Sequence, residues 1–311
     1  NSWREMLYLL GPRVIPVAAL VILGLVAPLY WQRVLVSTAM FALLAISWDM
    51  LASTGMVSLG QALFFGVGAY VAGILNHYYG LPPWLTIPLA AVIGSVICTI
   101  MLLPVLRLRG IYFAMVTLVL PLMLERIIEA TKIFGGTEGI SGLCQLPSVD
   151  VEFIVAMVAV WGALFGFRRL MDSDYGLVLK GIKDNDRSVM AGSINIYLYK
   201  AQALLIAGSI ASLAGAFMTH AYMFVGIPVF ALDYSIIPIA AAAVGGVGTL
   251  AGSLLGAFIL VPLNELLRGL GGLRSVIYAL LLVVFTVGLP EGIFHFLQRK
   301  YCQFERWVEV S

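Results

Sequence analysis

Unbroken apolar runs of about twenty residues follow one another along almost the whole chain. Crossing the hydrocarbon of a bilayer takes about 20 mostly apolar residues. In that medium no water is at hand for backbone N–H and C=O groups, so each must pair within the protein, which leaves helices or a closed barrel. Barrel strands alternate apolar with polar residues; these runs do not, so the elements are helices. Of the 311 residues, 61% are hydrophobic and 11% are charged, where a soluble domain has about 25% charged. Mean hydropathy is +1.02. The expected fold class is therefore all-α, a polytopic transmembrane helix bundle of about ten spans.

Spans are expected near 14–31, 34–52, 57–77, 84–106, 111–130, 151–168, 201–222, 234–247, 250–268 and 276–297. The run after Arg4 and Arg13 lacks a persuasive small-residue cleavage site and reads as a span rather than a signal peptide. Gly55, Gly60, Gly66 and Gly68 crowd the start of the third span and point to a broken helix there; the eighth is short and closes on Gly245-Gly246-Val247-Gly248. Non-helical backbone at membrane depth survives only beside protein or a water cavity. Basic residues set the orientation. With the N-terminus inside, Arg4, Arg13, Arg107, Arg109, Arg168, Arg169, Lys180, Lys183, Arg187, Lys200, Arg299, Lys300 and Arg306 fall on the cytoplasmic side. Arg33, Arg126, Lys132, Arg268 and Arg274 fall outside, so 13 of the 18 basic residues are inner. Both termini are then cytoplasmic.

A net charge of +2 gives no reason to expect nucleic acid as a partner. Cys98, Cys144 and Cys302 show no metal or redox spacing, and the odd count argues against a disulfide framework. His77, His220 and His295 lie far apart near span ends, which disfavours a membrane-embedded enzyme, and no metal or cofactor is expected. No Gly-x-x-x-x-Gly-Lys-Ser/Thr occurs, so ATP phosphates have no P-loop to sit in. Gly246-Val-Gly-Thr-Leu-Ala251 matches a dinucleotide pattern loosely, but membrane helices flank it, so helix breaking or close packing explains it better. Gly162 with Gly166, Ala211 with Gly215, and Gly252 with Gly256 have the spacing that lets helices approach closely within a bundle.

Ionisable groups inside spans are costly. Glu125, Glu129, Asp233 and Glu265 fall near span ends, whereas Asp49 sits late in the second span with few charged neighbours in sequence. A route for a small amphipathic solute needs polar groups and an apolar wall at mid-membrane. Ser58 and Gln61 supply the polar groups, Phe64 and Phe65 the wall, and Thr249 a matching turn in the second half. Gly55-x-x-Ser-Leu aligns loosely with Gly246-x-x-Thr-Leu, a hint of internal duplication. The glycine-rich loop 135–142 lies outside, where it either meets a binding protein or serves as a flexible connection.

Between the sixth and seventh spans lies the one sizeable polar segment, Asp172 to Lys200. Asp184 or Asn185 is placed to cap a short helix over 186–191, which Gly192 or Ser193 would end. Val189 and Met190 on one side and Asp186 and Arg187 on the other suit docking into a partner's groove; a solvated connection is the plain alternative.

Four stretches, Thr54–Tyr70, Leu106–Leu118, the loop running into Ile194-Asn195 and Tyr199-Lys200, and Gly245–Ala257 followed by Asn264-Glu265-Leu266-Leu267, occur in an order that resembles the LivM-type permeases of branched-chain amino acid ABC transporters. The resemblance implies one transmembrane permease domain over 1–311, holding a cytoplasmic coupling loop at 172–200. It implies a coupling helix within Lys183 to Asn195 that seats in an ATPase subunit, which nominates Lys183, Asp184, Asn185, Asp186, Arg187, Ser188, Val189, Met190, Ala191 and Gly192. This chain has Ser188, Val189 and Met190 where the family often has Glu-Ala-Ala-like residues, and Ser193 where a glycine often precedes Ile-Asn. The implied partners are two ATP-binding subunits, a second, LivH-like permease, an external solute-binding protein and membrane lipid. The implied cargo is a branched-chain amino acid, with urea and amides carried by similar permeases. The competing expectation is a self-powered secondary transporter or channel with Asp49 as its coupling carboxylate.

Overall fold

In this computed structural model the described residues are 24, 27–271, 273–288 and 291–305. Most of the first expected span, 14–31, lies outside them. Among the described residues the chain is an all-α bundle. Its helices are α1 (Leu29–Ala52), α2 (Gln61–Tyr79), α3 (Pro83–Leu102), α4 (Ile111–Thr131), α5 (Val149–Met171), α6 (Asp174–Ala191), α7 (Ile196–Tyr222), α8 (Asp233–Gly245), α9 (Ala251–Leu266), α10 (Leu273–Gly288) and α11 (Gly292–Glu305). Two residue pairs, β1 (Ile140–Ser141) and β2 (Phe224–Val225), join antiparallel.

Local chemistry sets the helix starts. Pro82 and Pro83 open α3, where a missing N–H is no loss. The Ser148 hydroxyl accepts from Val151 N–H at 3.3 Å at the head of α5, with Asp150 and Glu152 in its first turn. The Asn195 carboxamide oxygen accepts from Tyr197 and Leu198 N–H at the head of α7.

Seven helical segments among the described residues are long and apolar enough to cross a membrane. α2, expected as a span from residue 57, is not one of them: it starts at Gln61, carries Asn76 and His77, and is walled in by protein. Its glycines Gly66 and Gly68 sit inside an unbroken helix, and the break falls before it, at 53–60. The expected span 276–297 falls on two helices, α10 ending at Gly288 and α11 starting at Gly292. The polar segment 172–200 is not a loop but mostly helix.

Helices α1, α2 and α7 form the centre, with Leu44, Ile46, Phe64, Phe65 and Phe217 fully buried. Leu85, Val92, Met115, Val158 and Val283 stay exposed on α3, α4, α5 and α10, the apolar surface that lipid covers. Small residues set how close the central helices come. A Cβ on Gly215 would lie 1.9 Å from the Phe65 carbonyl oxygen, and one on Gly256 1.9 Å from that of Ala241. Gly162 and Gly166, read as packing positions, have nothing within 4 Å of such a Cβ among the described residues, because that face of α5 points away from the bundle. Gly215→Ala is therefore expected to destabilise the protein by at least about 1–3 kcal/mol. Gly162→Ala should be neutral or slightly stabilising, by up to about 1 kcal/mol, since helical glycine is entropically costly. Thermal unfolding of the two variants in detergent checks the contrast.

Candidate functional site

The chain reverses at the end of each helix, so the turns 53–60 and 103–110, helix α6 and the turn 246–250 gather at one end of the bundle. The expected cap appears there. At Asn185 the backbone leaves helical geometry (φ −157°, ψ 96°), dividing α6 in two. The Asn185 carboxamide oxygen accepts from Arg187 and Ser188 N–H at 3.2 Å each, starting a fresh turn over 186–191. Asp184, the other candidate, does not cap it. Ser193 ends the segment in the left-handed region at φ 62°. Leu179 and Ile182, on the first piece of α6, are buried and hold it to the bundle. Tyr175 stacks on Tyr199 with centroids 5.4 Å apart, and burial pushes its phenol up to about 12, so it stays neutral at physiological pH.

All four sequence stretches meet around this kink. A cavity of about 500 Å³ is lined by Thr54, Gly55 and Met56 from the first, Leu106, Arg109 and Gly110 from the second, and Lys183 to Arg187 with Lys200 from the third. An adjacent cavity of about 590 Å³ joins Lys183 and Asp184 to Gly248, Thr249, Leu250 and Ala251 from the fourth. Lys183 borders both. Gly55 adopts φ 80°, and a Cβ there would stand 3.1 Å from the Lys183 Cα, so this position needs glycine for conformation and for space. The Arg109 guanidinium pairs with Asp186 at 3.0 Å, a contact that charge patterning along the chain does not reveal. Val189 is partly buried, whereas Met190 is exposed.

Asp49 is fully buried, and its two carboxylate oxygens accept from Gly248 N–H at 2.6 Å and Leu250 N–H at 2.7 Å. It thereby satisfies the backbone of the turn ahead of α9, where Leu250 is held at φ 53°. Thr249 donates to the Gly246 carbonyl at 2.7 Å and accepts from Gly252 N–H at 3.0 Å. Hydroxyls serve the turn ahead of α2 in the same way. Thr117 accepts from Leu59 N–H, Ser58 from Gly60 N–H and Ser235 from Ala62 N–H, each within 3.1 Å. Trp48 donates to the Ser58 carbonyl at 2.6 Å.

The five residues nominated for a solute route fall into separate groups. Ser58, Gln61, Phe64 and Phe65 are all fully buried. Phe64 packs against Gly208 of α7, and Phe65 stacks on Tyr234 with centroids 4.2 Å apart. Gln61 differs from its neighbours: neither of its amide atoms has a hydrogen-bond partner among the described residues. An orphaned amide costs about 1–3 kcal/mol unless a water or solute group meets it. Thr249 lies at the far turn, beside Lys183.

At the opposite end the chain is tied down by buried polar clamps that single-residue reasoning missed. The His220 ring bridges the Thr86 hydroxyl (2.6 Å) and the Cys144 carbonyl (2.7 Å), so Nδ1 carries the proton and Nε2 accepts. Asn76 accepts from Cys144 N–H and donates to the Leu81 carbonyl. Arg33 pairs with buried Glu152 at 3.2 Å and donates to the Ala221 carbonyl.

Asp49→Asn keeps one acceptor where two are used, so a buried N–H loses its partner. A loss of about 1–3 kcal/mol in stability is expected, with Asp49→Ala worse. Unfolding midpoints in detergent test this, and an unchanged midpoint for Asp49→Asn would reject the clamp.

The family model described as the permease component of the branched-chain amino acid transport system matches residues 30–287, most of the chain. The high-affinity branched-chain amino acid transport system permease protein LivM of Escherichia coli (strain K12) is 28% identical over 271 residues, and that of Salmonella typhimurium (strain LT2) is 27% identical. Each alignment covers 77% of this chain and 64% of the relative. The chain thus spans somewhat less than two thirds of their length. A probable branched-chain amino acid transport permease protein LivH of Methanocaldococcus jannaschii is 24% identical over 224 residues, 67% of this chain and 70% of the relative. No solved structure matches. With its apolar helices crossing and recrossing the bundle, this multi-pass membrane protein belongs to the family of permease components of branched-chain amino acid transport systems.

Proposed function

We propose that this chain is the membrane-spanning permease subunit of an ATP-driven importer, moving branched-chain amino acids or a similar small amphipathic solute across the bacterial inner membrane. The observation that carries the reading is the meeting of four separated sequence stretches around the kinked helix α6, in a chain of this family. Both termini lie in the cytoplasm, and about ten spans make up one permease domain. The basic end of the bundle, with Arg109, Lys183, Arg187 and Lys200, faces inward. There residues 183–192 serve as the coupling element for two separate ATP-binding subunits. A second, LivH-like permease completes the pore, and an external binding protein delivers the solute. The kinship to a LivH as well as to LivM proteins supports a paired arrangement. The chain itself is a transport component rather than an enzyme.

Three features support transmission through α6. Its Lys183 stands against Gly55, six residues before the orphaned Gln61. It also borders the Gly248–Leu250 turn. One element thus borders both irregular stretches, at Thr54 to Met56 ahead of Ser58 and Gln61 and at the turn holding Thr249. Asp49, the carboxylate a secondary transporter would use, is engaged by two backbone N–H groups instead.

Replacing residues 184–195 with a Gly-Ser linker is expected to release the ATP-binding subunits during co-purification while the permease stays folded. Asn185→Ala, which removes the cap at about 1 kcal/mol, should weaken ATP-driven leucine uptake, and Asn185→Asp should retain it. Leucine uptake by this chain alone in pure lipid vesicles would overturn the proposal. For the route, Gln61→Met removes the amide at similar shape. Stability should hold or rise, because an unpaired polar group disappears, while uptake falls about tenfold, the order of one lost polar contact. Unaltered uptake would remove Gln61 from the route.

A further inference from the structure

The stretch that leads into α8 is a broken span. A single 3₁₀ turn covers Ile227–Phe230, the helix restarts at Asp233, and the whole of Ile227–Gly245 is apolar enough to cross. This irregular backbone is not at the membrane edge. A Cβ on Gly73 would meet Val225, one on Gly66 would meet the Phe230 ring, and Phe230 stacks on Tyr70. Tyr234 is sandwiched between Phe65 and Phe41, and Phe41 lies midway along α1. The restart of α8 is therefore near mid-membrane. Non-helical backbone at that depth occurs where it is buried or lines a cavity, and discontinuous helices mark solute sites in transporters.

A cavity does lie beside it. Its volume is about 300 Å³, and its walls include Met218 and Tyr222 of α7, Phe224, Pro228, Val229 and Tyr234. This is the small end of the roughly 300–1,000 Å³ range of ligand pockets. The wall is hydrocarbon and aromatic, because its polar groups are turned to protein. Thr219 donates to the Ala69 and Gly215 carbonyls, and the Tyr234 hydroxyl to the Met218 sulfur. Asp233, next to Tyr234 at the first position of α8, is exposed, and no ion pair reaches it among the described residues. An unpaired carboxylate near mid-membrane beside an apolar pocket suits a solute with an aliphatic end and a cationic end.

We infer that this pocket holds the aliphatic side chain of a zwitterionic amino acid during passage, with Asp233 facing its ammonium group. The inference rests on the importer reading above and names where the cargo sits. The aromatic wall that the solute meets is then Tyr234, and Phe65 stands behind it. The pocket also has a link to the surface: Phe224 packs against Gly139 of the glycine-rich loop.

The test uses the complete transporter in proteoliposomes with a diazirine analogue of leucine as the probe. Illumination should label residues 215–234, and excess leucine should abolish that label. Asp233→Asn should raise the KM for leucine about tenfold, and Val229→Trp, which fills the pocket, should lower leucine uptake by at least about tenfold, the order of effect of a changed hydrophobic pocket. The labelling uses the unmodified chain, so misfolding of the tryptophan variant leaves it decisive. Leucine uptake with competed label elsewhere overturns the pocket and keeps the importer. Competed label at 215–234 without ATP-driven uptake keeps the pocket and overturns the importer. Label there by a photoactivatable fatty acid, unaffected by leucine, makes this a lipid crevice and overturns the inference.

Discussion

An apolar bundle can contain irregular turns only if every backbone group in them finds a partner, and that constraint organises this molecule. Uncapped, each N–H or C=O in hydrocarbon would cost several kcal/mol. The partners are short side chains, some local and some from neighbouring helices. Asp49 of α1 serves the turn before α9, Thr117 of α4 and Ser235 of α8 serve the start of α2, and Asn185 serves the second half of α6. Because Asp49, Thr117 and Ser235 reach in from other helices, the turns they serve are fixed by tertiary structure. A change in one helix position is therefore felt as a change in the pairing of another helix's end.

The central helices carry the complementary constraint, close approach. Gly215 and Gly256 allow backbone to lie on backbone where any side chain would collide. The outer helices need no such precision, since lipid fills whatever gap they leave. This division explains why small residues matter on α2, α7, α8 and α9 and not at Gly162 or Gly166, although the spacing is the same.

Much of the architecture was legible in the chain. Apolar runs located most of the crossing helices within a few residues, and the Asp184-Asn185 pair with Gly192-Ser193 marked the short helix at 186–191. What could not be read depended on contacts between distant segments. The stretch 174–184 looked like loop because its charges hid Leu179 and Ile182, whose burial only the folded bundle reveals. Asp49 looked isolated because its partners, Gly248 and Leu250, are some two hundred residues away. Spacing likewise cannot tell which face of α5 its glycines occupy, and the orphaning of Gln61 is a property of its surroundings rather than of its neighbours in sequence. The 3₁₀ turn before α8 falls between the expected spans 201–222 and 234–247, and only the folded bundle shows it packed against Gly66 and Tyr70 of α2.

The two-residue pairing of Ile140–Ser141 with Phe224–Val225 is small, yet it joins two segments more than eighty residues apart at the far end of the bundle. It fastens the glycine-rich loop 135–142 to the stretch that leads into the broken span, so neither segment can shift without the other unless the pairing is given up. Three residues beyond Ser141, the His220 and Asn76 contacts on Cys144 tie the same loop to α7 and α2, so the segment is held at two places by helices distant in sequence.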